Sequence, residues 1–331
     1  MDYARLGRSG LKVSRLCLGL MSFGDQKWAK WVRGESECHA MVKLALANGI
    51  NFFDTADVYS FGESERLLGR AIRDLARRDE VIIATKFGLG VPKGENGLTR
   101  TNVLAAVDAS LQRLGTDYID LYQMHGWDPA VEIEETLGAL DDLVKQGKIR
   151  HAGASNFFAW QLLDAHYKAQ IAGLAGLKTM QFQYNLAYRE EERELIPVCE
   201  RCDFGTIVFS PLARGYLAGI RNSNASASEA ARATTDAKAQ RVYGHGRDHV
   251  ILDELAAIAG KHKVPGARVA LGWVLSQPSI GSIIVGPTEP EHLSNALEAM
   301  KFKLSEDERT TLERVYQPRA TETTEIARVP F

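Results

Sequence analysis

No stretch of this sequence approaches the roughly 18 consecutive apolar residues of a membrane-spanning helix. The N-terminus, MDYARLGRSGLKVSRLCLGL, has no apolar signal core behind a basic start. Cysteine is scarce, four in 331 residues. That is too few for a disulfide framework, so a reduced, cytoplasmic setting is expected. An excess of one charge is missing too: the net charge of −2 suits neither nucleic acid nor an anionic membrane. No G-x-G-x-x-G follows a strand and no G-x-x-x-x-G-K-[ST] is present; GLGVPKG at 88–94 fits neither pattern. A Rossmann dinucleotide fold is therefore disfavoured. No linker, duplication or low-complexity tract divides the chain, so residues 1–331 are expected to form one domain.

What is present is ample apolar material, 45% of residues, in short runs that alternate with helical patterns. The strand candidates are 15–20, 50–54, 81–86, 118–125, 149–155, 178–183, 206–211 and 282–286. They are nearly continuous apolar runs, as strands covered on both faces are. Amphipathic stretches lie between them, such as 100–115 and 132–148; in the second, Ile133, Leu137, Leu140 and Val144 recur at helical spacing. Eight strands with intervening helices predict a parallel sheet closed into a (β/α)8 barrel. YARLGRSGLKVSR precedes the first strand and reads as a hairpin plugging the barrel's bottom. After the seventh strand the spacing doubles. Residues 220–249, rich in Ser, Ala, Thr and Asn, read as a mobile excursion over the barrel's top, with an extra helix behind it. Cys199 and Cys202 form a lone C-x-x-C, read as two cysteines on one helix rather than a redox pair or half a zinc site.

A barrel presents functional side chains at the C-terminal ends of its strands. Asp54 ends the second candidate, Lys86 the third and His125 the fourth. Ser155 and Asn156 follow the fifth, Gln183 ends the sixth, and Ser210 and Pro211 follow the seventh. Singly, each has an ordinary reading: Asp54 as a turn cap, Lys86 as a solvated amine, His125 as a satisfied core histidine, Tyr59 as packing. Their joint placement on adjacent strand ends points instead to a shared pocket. There Asp54 pairs with Lys86, and Lys86 lowers the pKa of Tyr59 from about 10. His125 orients a carbonyl oxygen. Such a set protonates a developing alkoxide, and since no side chain donates hydride, a nicotinamide or flavin is needed. Ser155, Asn156, Gln183 and the SPLARGYLAG loop would hold a dinucleotide across the mouth. Two other readings remain: a cofactor-binding subunit that reports redox state to a partner, and a hydrolase using Asp54 as base, which leaves Lys86 and Tyr59 without a task.

The chain resembles the aldo-keto reductases over nearly its full length. The motifs are LGRSGLKVSRLCLGLMSFG (6–24), GINFFDTADVYSFGESERLLGRAI (49–72), ATKFG (84–88), LQRLGTDYIDLYQMH (111–125), GKIRHAGASNF (147–157), QYN (183–185), SPLARGYLAG (210–219) and IIVGPTEPEHL (283–293). It looks closest to the bacterial branch that shares features with potassium-channel β-subunits. The resemblance implies a barrel that uses NADPH, with NADH as the alternative, to reduce a small aldehyde or ketone. It implies an Asp, Tyr, Lys, His tetrad, here Asp54, Tyr59, Lys86 and His125. It implies that Ser155, Asn156 and Gln183 hold the carboxamide of the nicotinamide, with Phe209 stacking on the ring, and that Gly19, Met21 and Asp54 also contact the cofactor. Ser210, Pro211, Leu212, Ala213, Arg214, Gly215 and Leu217 match the loop around pyrophosphate and ribose. Gly286, Thr288, His292 and Asn295 match the adenosine end.

That end departs from the pattern. His292 stands where many members have Gln, Glu289 and Glu291 lie close by, and the Lys or Arg that pairs a 2′-phosphate is absent. Arg221 of the excursion is one possible substitute. The substrate pocket is expected to draw on Trp28, Trp31, Phe87 and Trp127. The tryptophans could equally pack loops against the rim. Lys27, Lys30 and Arg33 either attract an anionic substrate or form a solvated loop face.

Overall fold

The computed structural model describes residues 1–89, 97–219 and 234–321. All eight strand candidates form strands, their ends displaced by a residue or two. An antiparallel hairpin comes first, β1 (Tyr3–Arg5) and β2 (Lys12–Ser14). The barrel strands follow: β3 (Leu16–Gly19), β4 (Phe52–Asp54), β5 (Ile82–Phe87), β6 (Ile119–Met124), β7 (Ile149–Ser155), β8 (Leu177–Gln183), β9 (Gly205–Phe209) and β10 (Ser282–Val285). Each pairs in parallel with the next, and β10 closes on β3 through Ile283–Leu16 and Val285–Leu18. The protein is a (β/α)8 barrel.

Helices α1 (Glu35–Ala47), α2 (Glu63–Leu75), α3 (Arg100–Leu114), α4 (Ile133–Lys145), α5 (Ala159–Ile171) and α6 (Leu195–Cys202) follow the first six barrel strands. Local signals set their ends. Thr99 Oγ1 accepts from the Asn102 amide at the start of α3, and Gly115 ends it at φ 64°. In α4 the predicted apolar stripe faces inward, with Ile133, Leu137 and Leu140 buried. Cys199 and Cys202 are buried on α6 with free thiols.

The hairpin closes the bottom. Leu6 and Val13 are fully buried with Cys17, Phe52, Ala84, Leu121 and Ile207, which fill the barrel's lower interior. Two bare backbones make room for Leu6. A Cβ on Gly205 would lie 2.7 Å from the Leu6 carbonyl carbon, and one on Gly281 3.0 Å from Leu6 Cδ2.

Of the excursion expected over 220–249, residues 220–233, including Arg221, lie outside the described residues. The remainder is not a loose cover. It holds α7 (Ala237–Val242) and leads into α8 (Asp248–His262), the extra helix anticipated from the sequence. Then come α9 (Gly266–Ser276), α10 (Pro290–Ala299) and α11 (Glu306–Arg314). Among the described residues no helix is long and apolar enough to cross a membrane.

Candidate active site

Strand side chains alternate between faces, so a barrel interior is filled two residues at a time. The bottom layer holds Phe52, Ala84, Leu121 and Ile207. Two residues further along those strands stand Asp54, Lys86, Gln123 and Phe209. On β8 the same step leads from Thr179 to Gln181. Gly153 opens the layer: a Cβ there would sit 2.2 Å from Thr179 Oγ1 and 3.2 Å from Gln123 Cγ. The interior thus changes from apolar to polar within one layer.

Lys86 is the centre of this polar layer. Its fully buried ammonium donates to Asp54 Oδ1 at 2.5 Å and to the Thr55 carbonyl at 2.8 Å. Its Nζ also lies 5.1 Å from the centroid of the Tyr59 ring. The other carboxylate oxygen, Asp54 Oδ2, accepts from Gln181 Nε2 at 2.9 Å and Gln123 Nε2 at 3.3 Å. Asp54 is therefore held from two sides. A buried ion pair needs such added donors to offset desolvation. The His125 ring meets Tyr59 edge-on at 5.7 Å. Its backbone is fixed by the Phe87 carbonyl at 2.9 Å and by Asn156 Nδ2, which donates to the His125 carbonyl at 2.9 Å.

The electrostatics follow from burial. Burial raises the Tyr59 pKa above its ordinary value; Lys86 pulls against that rise without reversing it. This corrects the sequence-based expectation of a phenol lowered outright, because desolvation of the phenolate outweighs one shared ammonium. Burial alone would lower the Lys86 pKa, but Asp54 and Tyr59 raise it overall, so the amine stays charged. His125 is driven well below the usual imidazole range by burial, then by Lys86 and Lys238. The ring is neutral. Nδ1 is buried with no partner among the described residues, and the ring borders the cavity.

Above this layer lies a cavity of about 480 Å³. Its wall includes most residues expected from the sequence: Gly19, Met21, Asp54, Tyr59, His125, Ser155, Asn156, Phe209, Ser210, Pro211, Leu212, Arg214, Gly215, Gly286, Thr288, His292 and Asn295. Trp28 and Trp31 line it too, 5.7 Å apart and edge-on, with Trp28 6.2 Å from Tyr59. Five of the expected binding residues lie elsewhere than on this wall. Gln183 lies off this wall, its amide donating to the Tyr243 hydroxyl at 2.9 Å; Gln181 takes its place in the cavity. Phe87 points outward and stacks on Tyr122 at 4.5 Å, since its neighbour Lys86 faces in. Trp127 packs against Phe157 at 5.3 Å and Trp160 at 5.7 Å. Ala213 and Leu217 are buried behind the loop rather than on the wall. Sequence reasoning missed Gln123, Gln181 and Lys238.

The donor set fits a dinucleotide. Hydroxyl and amide groups of Ser155, Asn156 and Gln181 adjoin the aromatic wall of Phe209. Ser210, Ala213 and Arg214 adopt positive φ (54°, 50° and 55°). Such left-handed non-glycine backbone is costly and clusters at ligand sites. Arg214, salt-bridged to Asp236 at 2.7 Å, brings a guanidinium to the wall. At the far end His292 Nδ1 accepts from the Thr288 amide at 3.3 Å, and Arg268 Nη2 donates to Asn295 Oδ1 at 3.3 Å. Glu289 is held in an ion pair by Arg33, which removes one of the unfavourable acids there. Arg33 is correspondingly committed to that carboxylate.

Comparison with known proteins agrees with this architecture. Residues 15–317 match the model described as the aldo/keto reductase family, and the chain belongs to that family. It is 38% identical to versiconal hemiacetal acetate reductase of Aspergillus parasiticus, over 97% of this chain and 98% of that protein. It is 38% identical to a putative aryl-alcohol dehydrogenase of Schizosaccharomyces pombe, over 96% of each. A Bacillus subtilis protein, the uncharacterized oxidoreductase YrpG, is 34% identical over 93% of each. The finer placement beside channel β-subunits draws no support from these relatives, most of which are fungal.

Proposed function

We propose that this protein is an NAD(P)H-dependent reductase that converts an aldehyde or ketone to its alcohol, with Tyr59 as the general acid. The observation that carries the reading is the buried ammonium of Lys86, bonded to Asp54 and set 5.1 Å from the centre of the Tyr59 ring, under a cavity that Tyr59 and His125 line. When bound, the nicotinamide supplies the hydride to the carbonyl carbon and is oxidised. Ser155, Asn156 and Gln181 would hold its carboxamide, and Phe209 would cover its ring.

The protein's own part is proton transfer and orientation. Burial keeps Tyr59 protonated through neutral pH, the state an acid needs before reaction. As charge develops on the carbonyl oxygen, Tyr59 releases its proton, and the neighbouring Lys86 ammonium stabilises the phenolate. Solvent then restores the proton. Neutral His125 donates a hydrogen bond from its one ring N–H to the same oxygen and fixes its direction. The cofactor is NADPH in the first instance. Arg268 at the adenosine end and the neutralised Glu289 favour a 2′-phosphate there more than the sequence suggested.

The relatives' printed names are those of reductases and dehydrogenases, which supports turnover over binding alone. The test is to mix the protein with NADPH or NADH, add small aromatic and aliphatic aldehydes, and follow nicotinamide absorbance. Oxidation that depends on the aldehyde is expected. Binding of the nucleotide with no oxidation across the panel would refute the proposal.

A further inference from the structure

Asp54 turns its two carboxylate oxygens to different neighbours. Oδ1 takes the Lys86 ammonium at 2.5 Å. Oδ2 takes two amides, Gln181 Nε2 at 2.9 Å and Gln123 Nε2 at 3.3 Å. The glutamines also meet each other, Gln181 Nε2 donating to Gln123 Oε1 at 3.5 Å. Strand order brings them together. Gln123 on β6 pairs with Gly153 on β7, and Ser155, two residues on, pairs with Gln181 on β8. The bare backbone of Gly153 leaves room between them, since a Cβ there would lie 3.2 Å from Gln123 Cγ. Gln123 is fully buried beneath the cavity, whereas Gln181 lines it.

This triangle decides which end of the Gln181 amide the cavity meets. A carboxylate paired with an ammonium only accepts, so both glutamines turn their NH2 groups toward Asp54. One N–H of Gln181 goes to Asp54 Oδ2 and the other points to Gln123 Oε1. Both donors are engaged inside the polar layer. The end of the amide left for a ligand is Oε1, an acceptor. The reverse orientation would set that oxygen against the Asp54 carboxylate in a dry layer, where opposed acceptors are costly.

We propose that Asp54 and Gln123 are positioning residues for the cofactor: they lock Gln181 with its oxygen toward the cavity, so the site selects a nicotinamide whose carboxamide offers an N–H. The proposal rests on the reductase reading above, which puts a nicotinamide beside Gln181. It gives Asp54 a second task, since the carboxylate that holds Lys86 for the proton also sets the partner that orients the hydride-bearing ring. It gives Gln123, which touches neither substrate nor cofactor, its only evident one.

The test measures binding, without turnover, of NADP⁺ and of 3-acetylpyridine adenine dinucleotide phosphate, which carries CH3 in place of the carboxamide NH2. Quenching of the cavity tryptophans, Trp28 and Trp31, reports both. The two rings bear the same charge, so the ratio of their Kd values reads the missing N–H. Wild type should bind NADP⁺ about tenfold more tightly, the effect of leaving one buried acceptor unpaired. Asp54→Asn keeps the shape of the side chain. Lys86 takes the new amide's oxygen, so its NH2 opposes that of Gln181 and turns Gln181 over; the ratio should fall to near one. Gln123→Met leaves the Asp54–Lys86 pair intact and carries the test if Asp54→Asn does not fold. It frees the second N–H of Gln181 and should narrow the ratio about threefold, through weaker NADP⁺ binding alone. A merely structural loss would weaken both nucleotides alike. Such parallel weakening would overturn the proposal, as would a wild-type ratio near one or a ratio unmoved in the folded variants. If both nucleotides bind equally and NADPH still reduces benzaldehyde, this inference falls alone. If neither binds, the reductase reading falls with it.

Discussion

The two ends of this barrel interior are built from the same strands and do opposite work. At the bottom, Phe52, Ala84, Leu121 and Ile207 close around Leu6 of the hairpin. One layer higher, Asp54, Lys86 and Gln123 form a buried ionic network with Gln181. The bottom gains stability from apolar area and close fit. The top spends some of it, because a buried ion pair seldom repays its desolvation in full. The contrast teaches that the polar layer is not there to hold the barrel together. It is tolerated because the layer beneath is dry and tightly filled, and because every acceptor of Asp54 has a donor.

Substitutions at each end should separate these roles. The largest effect is expected for Lys86→Met, which leaves the Asp54 carboxylate buried without its cation. Urea denaturation should show a loss of about 3–5 kcal/mol, and turnover should fall by a hundredfold or more as the phenol loses its partner. Adding Asp54→Asn should return much of the stability and none of the activity; recovery of activity would break the argument. Leu6→Ala should cost about 2–5 kcal/mol through the cavity it leaves while kcat/KM for a simple aldehyde stays near the wild-type value.

The smallest effect concerns Asp57, whose Oδ1 is buried without a partner among the described residues and whose pKa burial, then Glu65, pushes up to about 7. Between its ordinary value of 3.8 and that raised value, the folded state keeps a proton the unfolded chain has lost. Stability therefore falls as pH rises through this window, by at most about 1.4 kcal/mol per pH unit from this group. Asp57→Asn should flatten that slope in denaturation series at stepped pH; an unchanged slope would remove Asp57 from the account.

Much of this was legible in the sequence, for a physical reason. Strands buried on both faces read as apolar runs, and in a barrel the polar residue that ends each run stands at the mouth. Asp54, Lys86 and His125 were visible that way, as was the plugging hairpin. The Phe87 error was avoidable, since the period of two that turns Lys86 inward must turn Phe87 out. Gln183 was a harder case. The last residue of β8 looks like the site, but the layer is fixed by pairing between strands, with Ser155 level with Gln181, and one strand's sequence does not contain its neighbour's register. Gln123 was hidden inside an apolar run for the same reason. Lys238 carried no signal at all. It sits in a polar excursion without periodicity, and the bonds of Asp236 and Tyr243 help bring it to the wall.

The account turns on the phenol of Tyr59, and pre-steady-state mixing of wild type and Tyr59→Phe reads it most plainly. With NADPH bound and benzaldehyde added, the wild type should oxidise the nucleotide, and the variant should do so slower by about 10²–10⁴-fold. NADPH affinity, measured separately by fluorescence, should hold within about threefold, the hydroxyl being aimed at the carbonyl oxygen. A variant that oxidises NADPH at the wild-type rate would contradict the role given to Tyr59.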